Sequence, residues 1–177
     1  MRAQITSQRL QEFMKMLGDR AAQPARVYLV GGATALLLGW RNSTIDIDLK
    51  VVPDSDEIFR LFSEFKERLD VNIEVAAPDD FIPEVPGWQE RSAFIAQVGK
   101  LTFLHYDFYA QALAKIERGH HSDLSDVHNL IKTNLVDRGK LIDLFSQIEN
   151  QLFKYPAIDP SSFRRRVESV VAEAEKE

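Results

Sequence analysis

The chain has 177 residues, 45% hydrophobic and 28% charged, enough to build one ordinary core with a helical appendage and too apolar for a disordered tail. It contains no cysteine, which excludes disulfide scaffolds, cysteine-based zinc sites and thiol nucleophiles. With 22 basic against 27 acidic side chains the formal net charge is −5, a poor balance for generic nucleic-acid binding, which needs clustered Lys and Arg.

Residues Ser7 to Leu17 place Leu10, Phe13, Met14 and Leu17 at helical spacing, with Ser7 as the expected N-cap. Gln23-Pro24 breaks that helix, and Arg26 to Val30 reads as a buried strand ending at Gly31-Gly32. Ala33 to Leu38 is rich in helix formers and is closed by Gly39. Ser43 to Val52 alternates cleanly, with Ile45, Ile47, Leu49 and Val51 on one face and Thr44, Asp46, Asp48 and Lys50 on the other. Asp54-Ser55-Asp56 opens a helix whose apolar face is Ile58, Leu61, Phe62 and Phe65. Val71 to Val75 is a further strand, with Val71, Ile73 and Val75 one way and Asn72 and Glu74 the other. Pro78, Pro83, Pro86 and Gly87 mark an irregular segment, and a hairpin around Gly99-Lys100 is predicted for Ala93–Val98 and Leu101–Asp107. From Phe108 the period is helical, with helices over Tyr109–Glu117, from a Ser122 cap to about Lys132, near Asp137–Leu152 and over Ser161–Glu173. This order predicts an α+β fold, with a core over residues 1–107 and a helical part over residues 108–177 packed on it. Val27 to Trp40, the most apolar stretch, is too short to span a bilayer, and Met1 to Arg20 is too polar for a secretory h-region. A cytoplasmic protein with no membrane partner is therefore expected.

The chemistry-bearing feature is the strand–turn–helix with Gly31-Gly32, followed by Thr44-Ile45-Asp46-Ile47-Asp48. Two aspartates at i and i+2 leave the same strand face with Cα atoms roughly 7 Å apart. Such a pair suits hard divalent cations, which take oxygen ligands and keep positions open for phosphate. In a two-metal site, ions about 4 Å apart clamp the attacking and leaving oxygens of an in-line displacement. Glu74, outward on the next strand, is a candidate third ligand or base. The glycine turn would present backbone N–H groups to phosphate, with the Thr34 hydroxyl beside them. No Gly-Lys-Ser/Thr follows, so a P-loop is excluded.

Over about Val27 to Ile131 the sequence resembles the nucleotidyltransferase superfamily, which joins a Gly-Gly or Gly-Ser turn, a helix and Asp-x-Asp on a strand. More narrowly it is similar to the minimal AbiEii-like nucleotidyltransferases of the abortive-infection and toxin type, and to small nucleotidyltransferases near them. A second family motif, a helix with a Lys, an Arg-containing turn and an Asp opening the next helix, matches Ala112-Leu113-Ala114-Lys115-Ile116-Glu117-Arg118 and Ser122-Asp123-Leu124-Ser125-Asp126. The resemblance implies a small mixed sheet flanked by helices, and a transferase moving a nucleoside monophosphate from an NTP to a hydroxyl of RNA, protein or a small molecule. It implies Mg²⁺ or Mn²⁺ on Asp46 and Asp48, with Glu74 or Asp107 as third carboxylate. Lys115 would touch the nucleotide phosphates, with Asp123 or Asp126 orienting that Lys or the substrate. A tRNA or protein acceptor and a cognate protein of a toxin–antitoxin pair are partners of that type. Toxin members carry a larger C-terminal domain, which leaves the acceptor open here.

Each feature also has a plainer reading. Alternation alone would put Asp46 and Asp48 on a solvated edge strand, and Asp123 follows a Ser where a helix dipole favours an acid without any function. His120, His121 and His128 lack the i, i+4 geometry of helical zinc ligands, and Arg164-Arg165-Arg166 reads as a solvated helix face. The alternative to an enzyme is a non-catalytic member of the fold that senses nucleotide or binds a partner protein.

Overall fold

The computed structural model describes residues 2–173; residue 1 and residues 174–177, the extreme ends of the two expected parts, lie outside the described residues. The elements in chain order are α1 (Ser7–Arg20), β1 (Ala25–Val30), α2 (Gly32–Leu37), β2 (Asp46–Val52), α3 (Asp56–Arg68), β3 (Asn72–Val75), α4 (Trp88–Arg91), β4 (Ala93–Val98), β5 (Leu101–His105), α5 (Phe108–Arg118), α6 (His121–Lys132), α7 (Arg138–Ile148) and α8 (Pro160–Glu173). The strands form one mixed sheet in the order β3-β2-β1-β5-β4. β1 runs antiparallel to β2 and parallel to β5, while β2 and β3 are parallel and β4 and β5 antiparallel. The α+β class expected from the sequence is the one observed. Among the described residues no helix is long and apolar enough to cross a membrane.

The chain divides into two compact units, one of residues 1–77 and 92–106, the other of residues 78–91 and 107–177. In the first, one sheet face carries Val27, Leu29, Ile47, Leu49, Val51, Ile73, Leu101 and Phe103 into a core shared with α1 and α3. The helical spacing expected of both helices is real: Leu10, Phe13, Met14 and Leu17 are buried on α1, and Ile58, Leu61, Phe62 and Phe65 on α3. Phe13 meets Phe65 edge-on at 6.3 Å between ring centroids, an arrangement the ring quadrupoles favour. α1 also lies close to the β4–β5 hairpin, because a Cβ at Gly18 would collide with the side chain and carbonyl of Val98.

In the second unit α5 to α8 bury Leu113, Ile116, Val127, Leu130, Leu141, Phe145, Ile148, Phe163 and Val167. Phe145 and Phe163 stack edge-on at 4.8 Å. The segment with Pro78, Pro83, Pro86 and Gly87 is not wholly irregular, since it holds a 3₁₀ turn over Pro78–Asp80 and leads into α4.

Four local expectations are corrected. The N-cap of α1 is Thr6, not Ser7: Ile5 is bridged to Thr44 in antiparallel fashion, so the chain stays extended through Thr6, whose hydroxyl accepts from the Arg9 N–H at 3.3 Å. Because Thr44 is held in that bridge, β2 starts only at Asp46, and Ile45 is 70% exposed rather than on the core face. Val75, at the end of an edge strand, is likewise 56% exposed. α6 begins after His120 with no side-chain cap, so Ser122 lies within its first turn.

Candidate active site

In the first unit the glycine turn and the acidic strand meet. Gly31, at the end of β1, has φ 61° and ψ −122°, a conformation disfavoured for residues with a side chain. A Cβ built on Gly31 would lie 3.5 Å from Asp48 Oδ2. One built on Gly32 would collide with the Thr44 hydroxyl and lie 3.7 Å from an Arg41 guanidinium nitrogen. The antiparallel register explains the meeting: Val30 is opposite Asp48, so the chain leaves β1 beside the start of β2. Both glycines therefore lie against the segment that carries the aspartates.

Thr34 is placed differently. It is buried, and its hydroxyl lies 3.2 Å from the Leu29 carbonyl and 3.0 Å from His105 Nδ1. A hydroxyl has one proton, so donation to Leu29 leaves His105 Nδ1–H to donate to Thr34. The expected phosphate-facing hydroxyl is thus directed inward, a correction to its assigned position. Burial lowers the His105 pKa to about 4, so the imidazole is neutral at pH 7.

The acidic face follows from the parallel pairing of β2 and β3. Asp46 is in register with Asn72, and Asp48 with Glu74, while Ile47 and Ile73 point into the core. Alternation puts all four polar side chains on one sheet face, three carboxylates and one amide at the corners of a rectangle. Asn72 Nδ2 donates to Asp46 Oδ1 at 2.6 Å and to Glu74 Oε1 at 3.0 Å. Of the two candidates for a third carboxylate, Glu74 is the exposed one. Asp107 is 1% exposed and committed within the second unit, capping α5 through the Tyr109 and Ala110 N–H groups and pairing with Arg91 at 2.7 Å.

The second motif forms a compact ion network inside the second unit. Lys115 Nζ lies 2.9 Å from Asp126 and 3.5 Å from Asp123, and Arg118 donates to both oxygens of Asp123. Both aspartates are buried. Burial alone pushes the Asp123 carboxyl up, but the Arg118 hydrogen bonds and the Lys115 and Arg118 charges outweigh it and hold the pKa below its ordinary value. The two acids that the sequence left as alternatives both contact Lys115.

Among the described residues no three His, Cys, Asp or Glu side chains gather closely enough to hold a metal ion by themselves. The chemistry of the donors still fits a nucleotide-borne cation, because Mg²⁺ is ordinarily held by one or two carboxylates together with waters and substrate phosphates. Asp46 and Asp48 would supply those carboxylates. Asn72 and Arg41 were not singled out from the sequence. The signal for Asn72 was its alternation with Glu74, but its partner became visible only with the β2–β3 register.

No curated protein matches the chain. Among solved structures, the chain is similar to an antigenic nucleotidyltransferase-like protein from Paracoccidioides brasiliensis, at 16% identity and a TM-score of 0.49 over 92% of this chain and 95% of that one. A family profile described as "nucleotidyltransferase of unknown function (DUF6036)" matches residues 7–170. That match takes in the glycine turn, the aspartate strand and the Lys115 network, and the chain belongs to this nucleotidyltransferase family.

Proposed function

We propose that the protein is a metal-dependent nucleotidyltransferase of the small, AbiEii-like kind. The observation carrying this reading is the convergence of Gly31-Gly32 with Asp48 and, through the β2–β3 register, with Asp46 and Glu74 on one sheet face. In the reaction an acceptor hydroxyl attacks the α-phosphorus of an NTP. One P–O bond forms, the bond to the bridging α–β oxygen breaks, and pyrophosphate leaves. Backbone N–H groups of the glycine turn would hold phosphate oxygens, with the Arg41 guanidinium close by. Asp46 and Asp48 would hold Mg²⁺ or Mn²⁺, which when bound supplies charge stabilisation to the phosphates. Glu74 would take the proton of the attacking hydroxyl. The family motif assigns Lys115, paired with Asp123 and Asp126 within the second unit, to nucleotide phosphates. The acceptor, whether RNA, protein or small molecule, and a cognate protein partner belong to the same proposal.

A second reading rests on the lack of a three-ligand nest among the described residues. A non-catalytic module that senses nucleotide or binds a partner needs no such nest.

One experiment separates the two. Thermal melts are recorded with Mg²⁺ and each NTP, for wild type beside Asp46→Asn and Asp48→Asn, together with pyrophosphate release. Ligand at a hundred times its dissociation constant adds about 2.7 kcal/mol of stability. Metal-dependent stabilisation with pyrophosphate release, both lost in the variants, supports the transferase. Nucleotide stabilisation that survives both substitutions supports the sensing module.

A further inference from the structure

The acidic face contains a residue whose placement the transfer reaction does not by itself require. Asn72 opens β3, although Asn is depleted in strands, and it stands at the one corner of the rectangle not occupied by a carboxylate. Its amide nitrogen reaches two different acids, Asp46 Oδ1 at 2.6 Å and Glu74 Oε1 at 3.0 Å. An NH₂ group has two protons, so both are used. These bonds leave Asp46 Oδ2 and Glu74 Oε2 outside the amide's grip.

The choice of an amide is chemically specific. A lysine or arginine at this corner would neutralise the acids and compete with any incoming cation. A fourth carboxylate would add repulsion and give no donor. An amide fixes the rotation of two carboxylates while leaving their charge in place. Among the described residues neither Asp46 nor Glu74 takes part in an ion pair, so their charge remains available.

We infer that Asn72 is a positioning residue that turns the free oxygen of Asp46 toward the bound cation and ties Glu74 to it. This rests on the reading of the acidic face as a metal–nucleotide site. Hydrogen-bond partners of metal ligands typically change metal affinity 10–100-fold when removed. The effect here runs through Asp46, so it is read in cation binding as well as in turnover.

The test is Mn²⁺ titration followed by electron paramagnetic resonance, with and without a non-hydrolysable ATP analogue. Wild type is compared with Asp46→Asn, Asn72→Leu and Asn72→Gln, each checked by thermal melting. The expected result is binding in wild type, loss in Asp46→Asn, and at least about tenfold weakening in Asn72→Leu at unchanged melting temperature. Asn72→Gln, which keeps the amide donor, should recover most of that loss. Undiminished affinity in Asn72→Leu, with Asp46→Asn still defective, would overturn the positioning role and leave the site intact. Equal loss in Asn72→Leu and Asn72→Gln would also overturn it. No Mn²⁺ binding in wild type would remove the site and the inference together.

Discussion

Two clusters of aspartates in this protein meet opposite fates. In the second unit Asp123 and Asp126 are buried and matched by Lys115 and Arg118, so four charges sum to zero. In the first unit Asp46 and Glu74 share a neutral amide and face outward. The first arrangement is balanced by cations within the protein, whereas the second is held by a neutral donor alone. Buried carboxylates are matched by cations inside the fold, whereas exposed ones can be held by a neutral donor.

The comparison can be broken or sharpened by substitution. The largest effect is expected at the outward cluster: Asp46→Asn or Asp48→Asn should lower nucleotide transfer by about 10²–10³ or more, with stability within about 0.5 kcal/mol of wild type. Pyrophosphate release and thermal melts read the two quantities. At the buried cluster the pattern reverses. Lys115→Met removes the lysine from buried Asp126 and from Asp123, which keeps Arg118, and should cost about 3–5 kcal/mol, measured by urea unfolding. The double variant Lys115→Met/Asp126→Leu should recover part of that loss, because it removes a charge along with its partner.

A smaller effect concerns pH. His105 has a pKa of about 4 in the fold, below the ordinary 6.5, because burial opposes its charged form. Above pH 6.5 neither folded nor unfolded chain binds the proton, and the full stability is present. As pH falls from 6.5 to about 4 the unfolded chain takes up the proton first, and stability drops by about 3 kcal/mol. His105→Gln should flatten that part of a stability–pH curve measured by chemical denaturation. Smallest of all, Gly18→Ala should cost about 1–3 kcal/mol by forcing α1 away from Val98, read as a lower melting temperature.

What the sequence made legible was what short-range periodicity encodes. The period of two fixed Ile47, Leu49 and Val51 against Asp46 and Asp48, and the helical period fixed the buried face of α3. The Lys115 network is legible through the family motif, which joins residues 11 or fewer positions apart, and not through periodicity. The exposure of Ile45 and the shift of the α1 cap from Ser7 to Thr6 have a common reason. The Ile5–Thr44 bridge joins segments far apart in the chain, and no local pattern announces it. The sequence reads Thr34 as a phosphate contact because its partner His105, 71 residues away, comes beside it only when β1 pairs with β5. The bond from Asn72 to Asp46 depends in the same way on strand register, which brings together residues 26 positions apart.

The strict alternation of β2 has a consequence for how this protein can change. Ile47 and Leu49 are packed in the core, while Asp46 and Asp48, their immediate neighbours in the chain, look the other way. Substitutions on the outward side change the acidic face without changing the volume of the core side chains beside them. A lineage could therefore rewrite this outward face one residue at a time and still inherit the same folded scaffold.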